Sequence, residues 1–250
     1  MPGRFGIWLD GFVHRRLLPP KLYPTWQAAE EKAARSSYAG SLLNEFRVAR
    51  RQGISQSVSR TTAYSAGVNP ALASVMGNGF RVTDFGGATG AMGELTIEAD
   101  PSIVYTVVEN PTLVRLMRQQ RTNVQFTTEI PDQCDIFYTS GTIQYVSEPY
   151  KALEKGFLSA SRHAVLVHNN FADFERFTVQ RSSLFDNGSG PLPPGFKDRV
   201  VLYPLRTIQE ARVHALAEKC GLVLDHQRED PEFYYRGGYS KDLIFRRANG

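Results

Sequence analysis

Three sets of residues have the types and spacing to do chemistry. The first is Arg81-Val-Thr-Asp-Phe-Gly-Gly-Ala-Thr-Gly90. Val82, Thr83 and Phe85 suit a buried strand. Gly86, Gly87 and Gly90 then let the backbone turn sharply and approach a ligand closely. Residues 91–99 can follow as a helix, whose free N–H groups and positive dipole end would face the turn. Strand–turn–helix units hold nucleotide-like cofactors in this way, so Asp84, Gly86, Gly87 and Gly90 are candidate cofactor contacts. The second set is Glu109-Asn110, at the end of the apolar run Ile103–Val108 and 25 residues after Asp84. A carboxylate there can accept hydrogen bonds from both hydroxyls of a ribose, or it is simply an exposed strand-end acid. The third is His168-Asn169-Asn170, which follows the apolar run Ala164–Val167. Histidine suits general-base work near neutrality. It can equally be structural or bind an acceptor, and the two asparagines can bind hydroxyls or cap the strand.

The elements that must position these groups follow from periodicity and punctuation. Residues 1–79 read as a mostly helical extension. Thr25 is an N-cap for a helix from Trp26, and Leu42, Leu43, Phe46 and Ala49 give a second helix with Gly53 as its terminator. Asn69-Pro70 opens a short third helix that Gly77 closes. From residue 80 strands and helices alternate: strands at 80–85, 103–109, 123–126, 135–139 and 164–168, helices at 91–99, 111–120 and 149–160. Thr207-Ile-Gln-Glu210 reads as a capping box for a helix that Gly221 ends, and 222–227 and 242–247 are two last strands. Repeated β–α units imply a doubly wound, mostly parallel seven-stranded α/β sheet, with one antiparallel strand added at the end. The expected division is 1–79 as a helical cap and 80–250 as the Rossmann-like domain. Residues 182–199, which include Asp186-Asn-Gly-Ser-Gly-Pro-Leu-Pro-Pro-Gly195, show no helix or strand pattern and read as a lid or an inserted loop.

Composition narrows the partners. A net charge of +4 without a Lys/Arg tract or aromatic–basic interleaving gives no argument for nucleic acid. Cys134 and Cys220 are the only cysteines and form no metal-binding or disulfide pattern, so no metal is expected. No apolar run reaches spanning length, and residues 1–20 lack the apolar core of a signal peptide, so the chain reads as cytoplasmic. The stretch Gly6 to Leu18 allows weak peripheral membrane association, with a loosely packed arm as the plainer reading. A homodimer is compatible with the sequence.

The glycine loop has two possible owners. From Asp84 it resembles the acidic-x-Gly-x-Gly-x-Gly loop of class I S-adenosylmethionine-dependent methyltransferases. From Gly87, Gly-Ala-Thr-Gly-x-x-Gly resembles the NAD(P) loop of atypical short-chain reductases. None of the eleven tyrosines is followed four positions later by lysine, the pair such a reductase uses for proton transfer. Asp135-Ile-Phe-Tyr-Thr-Ser-Gly-Thr-Ile-Gln-Tyr-Val-Ser-Glu-Pro149 looks like the fourth-strand segment of the methyltransferases. Over residues 17–247 the chain is similar to a bacterial family assigned as methyltransferases and often associated with surface-polysaccharide gene clusters. The matching segments are Trp26-Gln-Ala-Ala29, Ser37-Tyr38, Asp84–Ala88, Val107–Glu109, Gln144-Tyr145 and Tyr203-Pro204. Two departures stand out: Ala88 replaces the loop's middle glycine, and His168-Asn-Asn-Phe171 stands where relatives tend to have Arg-x-x-Phe.

The resemblance implies S-adenosyl-L-methionine as cofactor, with Ser140 and Gln144 as further cofactor contacts, and a small-molecule or glycan acceptor that is methylated on oxygen. His168 would be the base. Tyr64, Tyr145, Asn169, Asn170, Tyr203 and Arg206 would contact the acceptor. Arg199 flanks the same loop, Arg60 lies ahead of the first strand, and Glu129 is a candidate for the adenine amino group. Two other readings stay open: an NAD(P)-dependent reductase, and a binding protein that keeps the fold without the reaction.

Overall fold

The computed structural model describes residues 21–33, 40–57, 68–231 and 238–248. Among the described residues, three helices precede the first strand: α1 (Trp26–Ala33), α2 (Ser41–Ser57) and α3 (Pro70–Ala73). Both expected N-caps form. Thr25 Oγ1 accepts from the Ala28 N–H at 3.1 Å and Asn69 Oδ1 from the Ala71 N–H at 2.9 Å. Gly53 does not end α2 but lies inside it. A Cβ there would stand 2.7 Å from Pro191 Cγ, so the glycine lets a distant loop pack on the helix.

The alternation that follows is β1 (Arg81–Phe85), α4 (Ala91–Ala99), β2 (Val104–Val108), α5 (Pro111–Met117), β3 (Gln125–Thr127), β4 (Cys134–Ser140), α6 (Pro149–Ser159) and β5 (Ala160–Ala172). After it come β6 (Phe177–Ser183), β7 (Val200–Arg206), β8 (Ile208–Gln209), α7 (Glu210–Lys219), β9 (Leu222–Glu229) and β10 (Tyr239–Arg247). The main sheet runs β3-β2-β1-β4-β5-β10-β9, with β8 beside β5. β10 alone runs against the direction of the other strands of this sheet. The doubly wound, mostly parallel sheet is therefore as expected, but it has eight strands rather than seven. The extra one arises where Ile208 and Gln209 pair with Phe171 and Ala172, beyond the end of β4.

That pairing also corrects the reading of Thr207-Ile-Gln-Glu210. The helix starts at Glu210, and Thr207 caps nothing. Its Oγ1 donates to the Phe174 carbonyl at 2.7 Å and accepts from the Arg176 N–H at 2.9 Å, closing the β5–β6 turn. The two outermost segments of the 173–207 insertion are strands, and β6 and β7 form a separate antiparallel pair. No periodicity marked them, because Phe-Thr-Val-Gln-Arg-Ser-Ser and Val-Val-Leu-Tyr-Pro-Leu-Arg pack against other parts of the chain on more than one face.

Helices cover both faces of the main sheet. Leu153 and Phe157 of α6 and Val213 and Ala217 of α7 pack on one face, over β4, β5 and β10. Leu72 of α3 and Met92 and Ile97 of α4 pack on the other, over Val82, Tyr105, Val107 and Val165. The β6–β7 pair and the N-terminal helices share a cluster of their own, with Leu43 and Phe46 of α2 against Leu184, Val201 and Tyr203. No helix among the described residues is long and apolar enough to cross a membrane.

The segment between β6 and β7 is held down. Arg50 of α2 donates to the carbonyls of Phe185 (2.8 Å), Asn187 (3.1 Å) and Gly190 (2.9 Å). Asp198 accepts from Ser183 Oγ at 2.6 Å, and Tyr203 OH donates to Asn187 Oδ1 at 2.7 Å. Because one guanidinium satisfies three loop carbonyls, Arg50→Ala should speed proteolysis within 187–195 several-fold while leaving the global unfolding midpoint nearly unchanged. Cleavage at the parental rate would show that the other contacts suffice.

Candidate active site

The strand ends bring most of the expected residues to one edge of the sheet. Asp84 is the fourth residue of β1. It lies between Val107 of β2 and Tyr138 of β4 in the parallel register and is 2% exposed. Tyr105 OH donates to its Oδ2 at 2.9 Å. Burial, against the lowering effect of the tyrosine bond and with a further push from the nearby Glu109 charge, brings the Asp84 pKa up to about 7.

The glycine turn follows with left-handed backbone at Gly86 (φ 81°), Ala88 (φ 51°) and Gly90 (φ 79°). A Cβ on Gly86 would fall inside the Thr142 side chain, and one on Gly87 would collide with the Asp84 carboxylate. These two glycines allow the turn to lie against its own supports, Thr142 after β4 and Asp84 below. Ala88, which stands in place of the loop's middle glycine, also holds a positive φ, a conformation that a residue with a Cβ adopts at a cost. Gly90 occupies the N-cap of α4 and has no side chain to offer the first turn.

Glu109 follows β2, and its two oxygens differ. Oε2 accepts from the Asn110 N–H and from Asn110 Nδ2, both at 2.9 Å. Oε1 is buried without a hydrogen-bond partner. Asn110 is fully used as a support: its Oδ1 caps α5 through the Leu113 N–H at 3.0 Å and also accepts from Asn44 Nδ2 of α2 at 3.2 Å. A buried carboxylate oxygen left unpaired is costly, which marks a place for an external donor such as a hydroxyl.

Beyond β4, the Ser140 carbonyl accepts from Thr142 Oγ1 at 3.2 Å. Gln144 lies in a 3₁₀ turn, Ile143–Tyr145, fully buried; its Nε2 donates to the His168 carbonyl at 3.2 Å and its Oε1 has no partner. On β5, His168 has a φ of 56° and Nδ1 lies 2.7 Å from Asp230 Oδ2. Asn169 is fully buried, with neither amide atom hydrogen-bonded. Asn170 Nδ2 donates to the Arg206 carbonyl at 3.2 Å.

The expected acceptor set divides. Tyr145 and Tyr203 meet edge to face with ring centroids 6.1 Å apart, and Tyr145 OH donates to Gln180 Oε1 at 2.6 Å, so both belong to the layer built on β6 and β7. Arg206 lies beneath Trp26 and Phe177, at 4.4 and 5.3 Å from their ring centroids, and donates to the Ser147 carbonyl at 2.9 Å. It ties α1 to the hairpin. Glu129 lines a groove of about 490 Å³ with Thr83, Thr106, Gln125 and Thr127, residues that alternate with those packed under α4. Arg199 uses its carbonyl to accept from the Leu184 N–H at 2.8 Å. Tyr64 and Arg60 lie outside the described residues, as do Gly6–Leu18. Sequence reasoning missed Tyr105, Thr142 and Asp230. The first shares a sheet face with Asp84 and could have been found from register. Asp230 is 62 positions from His168 and has no local signal.

No protein-family model and no curated protein matches the sequence. Solved structures do match in shape. An S-adenosylmethionine-dependent methyltransferase from Methanosarcina mazei aligns over 72% of this chain and 98% of its own, at 14% identity and a TM-score of 0.51. The fold is that of the class I methyltransferases. The CcbJ methyltransferase from Streptomyces caelestis aligns over 77% and 97%, at 14% identity and a TM-score of 0.50. A TehB-like S-adenosylmethionine-dependent methyltransferase from Corynebacterium glutamicum aligns over 83% and 100%, at 12% identity and a TM-score of 0.50.

The buried Asp84 has a consequence for stability. Its folded pKa of about 7 exceeds the ordinary carboxylate value of 3.8, so the folded state holds its proton longer than the unfolded chain. Its ionisation therefore subtracts stability as pH rises from about 4 to 7, and no more above that window. Asp84→Asn should gain stability relative to the parent across the same interval, read as a difference in thermal midpoint that grows with pH and then levels off. A difference constant from pH 4 to 8 would place the Asp84 pKa at its ordinary value.

Proposed function

We propose that this protein is a cytoplasmic S-adenosylmethionine-dependent methyltransferase acting on a hydroxyl of a small-molecule or glycan acceptor. The observation that carries the reading is Glu109: one carboxylate oxygen tied down by Asn110, the other buried and unpaired, beside a glycine turn that opens α4 without a side-chain cap. A carboxylate acceptor in this position fits the ribose hydroxyls of an adenosyl cofactor. When bound, S-adenosylmethionine supplies an electrophilic methyl group and a thioether leaving group.

The chain's own residues then have separable tasks. Glu109 accepts from the ribose hydroxyls, and Asn110 keeps its carboxylate in place. The turn Gly86–Gly90 and the first N–H groups of α4 receive the polar end of the ligand. The unpaired Oε1 of Gln144 offers a further acceptor next to the His168 backbone. Asn169, with both amide atoms buried and unpaired, is suited to hold a hydroxyl-bearing acceptor, since each amide can both donate and accept. His168 stands at the end of β5 with its side chain 31% exposed and takes the hydroxyl proton. Within 1–79 the described helices act as a cap on the domain formed by 80–250, a reading supported by the packing of α2 on both α5 and the hairpin layer.

Calorimetry with S-adenosylhomocysteine and with NADPH tests the cofactor. We expect the first to bind and the second not to; the reverse would make the protein a reductase. Glu109→Ala should weaken S-adenosylhomocysteine by about 1.5–3 kcal/mol, the range for hydrogen bonds to a charged group, without unfolding the protein. An unchanged dissociation constant would remove Glu109 from the site. His168→Asn should keep cofactor affinity and lower turnover by about 10²–10⁴, the usual contribution of a general base. Turnover within a few fold of the parent would mean that positioning alone suffices.

A further inference from the structure

The end of β5 is not a regular strand. Against β10, Leu166 pairs with Leu243 and Asn169 with Lys241, so three steps on β5 face two on β10. The extra residue is absorbed at His168, whose φ of 56° is a backbone conformation that side chains other than glycine rarely adopt. Such a bulge re-aims a side chain. Here the imidazole comes to the face that carries Asp230, Ser240 and Asp242, and its own carbonyl is held by Gln144.

Asp230 is fixed from several sides. Its N–H donates to the Ser240 carbonyl at 3.0 Å, Ser240 Oγ donates to its Oδ2 at 3.4 Å, and its side chain is only 9% exposed. Asp242 stands next to it. His168, Asp230 and Asp242 each bring one polar atom within 4.8 Å of the others. Asp242 is 2% exposed; its Oδ2 accepts from Arg228 at 2.6 Å, and its Oδ1 is buried without a partner. Among the described residues, the charged or titratable groups facing this corner are Asp230 from the end of β9, Arg228 from β9, Asp242 from β10 and Tyr138 from β4, which feels the Asp242 charge.

We propose that Asp230 is the positioning residue of His168, holding the neutral imidazole with its proton on Nδ1 so that Nε2 presents the lone pair, and that Asp242 completes the anionic wall behind it. The proposal rests on the reading of His168 as the base. In the transfer, the acceptor O–H bond breaks and an N–H bond forms at Nε2. The oxygen's electron pair makes the new O–C bond, the C–S pair leaves with sulfur, and the imidazolium later returns its proton to water. Asp230 stays ionised throughout and stabilises the imidazolium that forms.

The test is nitrogen NMR on protein labelled with ¹⁵N at histidine, without cofactor or acceptor, at a pH where the imidazole is neutral. We expect the parent's His168 to carry its proton on Nδ1, and Asp230→Ala to lose that preference. A parent protonated on Nε2, or an unchanged tautomer in Asp230→Ala, would overturn the proposal. So would stoichiometric Mn²⁺ binding that broadens the His168 signals, because the imidazole would then serve a cation. The parent measurement needs no variant to fold. In turnover, Asp230→Ala should lower kcat by about 10²-fold or more while S-adenosylhomocysteine affinity stays within about twofold, and Asp230→Glu should restore part of the loss. A fall that merely tracks the thermal midpoint would overturn the proposal. Failure of the parent to bind S-adenosylhomocysteine would instead sink the methyltransferase reading and leave the tautomer result standing.

Discussion

The molecule hangs on the hydrogen bonding of β5. This strand pairs with β4 and then β8 along one edge and with β10 along the other, and it runs for 13 residues through the middle of the sheet. Its middle, Ala164 to Val167, is buried on both faces, between β4 on one edge and β10 on the other. Its second half carries polar residues at zero or near-zero exposure, which apolar packing alone would not select. The antiparallel partner β10 makes that possible. It brings the end of β9 within reach and supplies carboxylates to a strand end that has none of its own. A parallel neighbour would have placed its own C-terminal end there, and with it the start of another helix.

A second dependence runs through α2. One side of this helix reaches the cofactor end of the sheet: Arg51 pairs with Glu94 in the first turn of α4, Asn44 donates to Asn110, and Val48 packs with Leu113 and Met117 of α5. The other side reaches the insertion, through Arg50 on three loop carbonyls and Phe46 stacked on Phe185. The residue that braces Glu109 and the loop after β6 are thus anchored on one rigid element. Gly53 belongs to the same arrangement, since only a residue without a side chain lets Pro191 lie against the helix. Electrostatics follow the same division. Asp84 is buried below the turn and is held by a tyrosine, whereas Glu109 has one buried oxygen without a hydrogen-bond partner.

Much of this could be read from the sequence, for identifiable reasons. Asn69-Pro70, Asn110-Pro111 and Pro149 marked three helix starts because each dipeptide or proline satisfies a local rule that tertiary contacts do not override. The apolar runs gave the parallel strands, because burial on both faces leaves a continuous pattern. The glycine turn and Glu109 were visible because they lie at strand ends with short-range signatures. What could not be read depends on long-range pairing. β8 is two residues long and exists only because β4 stops before β5 does. Thr207 looks like a cap but closes a turn, since the local pattern cannot say which backbone groups will be near. The His168–Asp230 contact depends on a one-residue bulge and on the insertion of β10 between β5 and β9, neither of which has a sequence signature. Tyr203 and Arg206 drew notice because they flank the 182–199 loop, but their packing and hydrogen bonds within the hairpin layer depend on partners distant in sequence.

The central claim is that a ribose hydroxyl takes the open oxygen of Glu109 and that the reacting end of the cofactor faces His168. The most direct measurement is a crystal structure of the full chain with S-adenosylhomocysteine. It should show both ribose hydroxyls on the Glu109 carboxylate, with the sulfur on the side of Gln144 and His168. A ligand whose ribose avoids Glu109, or whose sulfur points away from the end of β5, would contradict it.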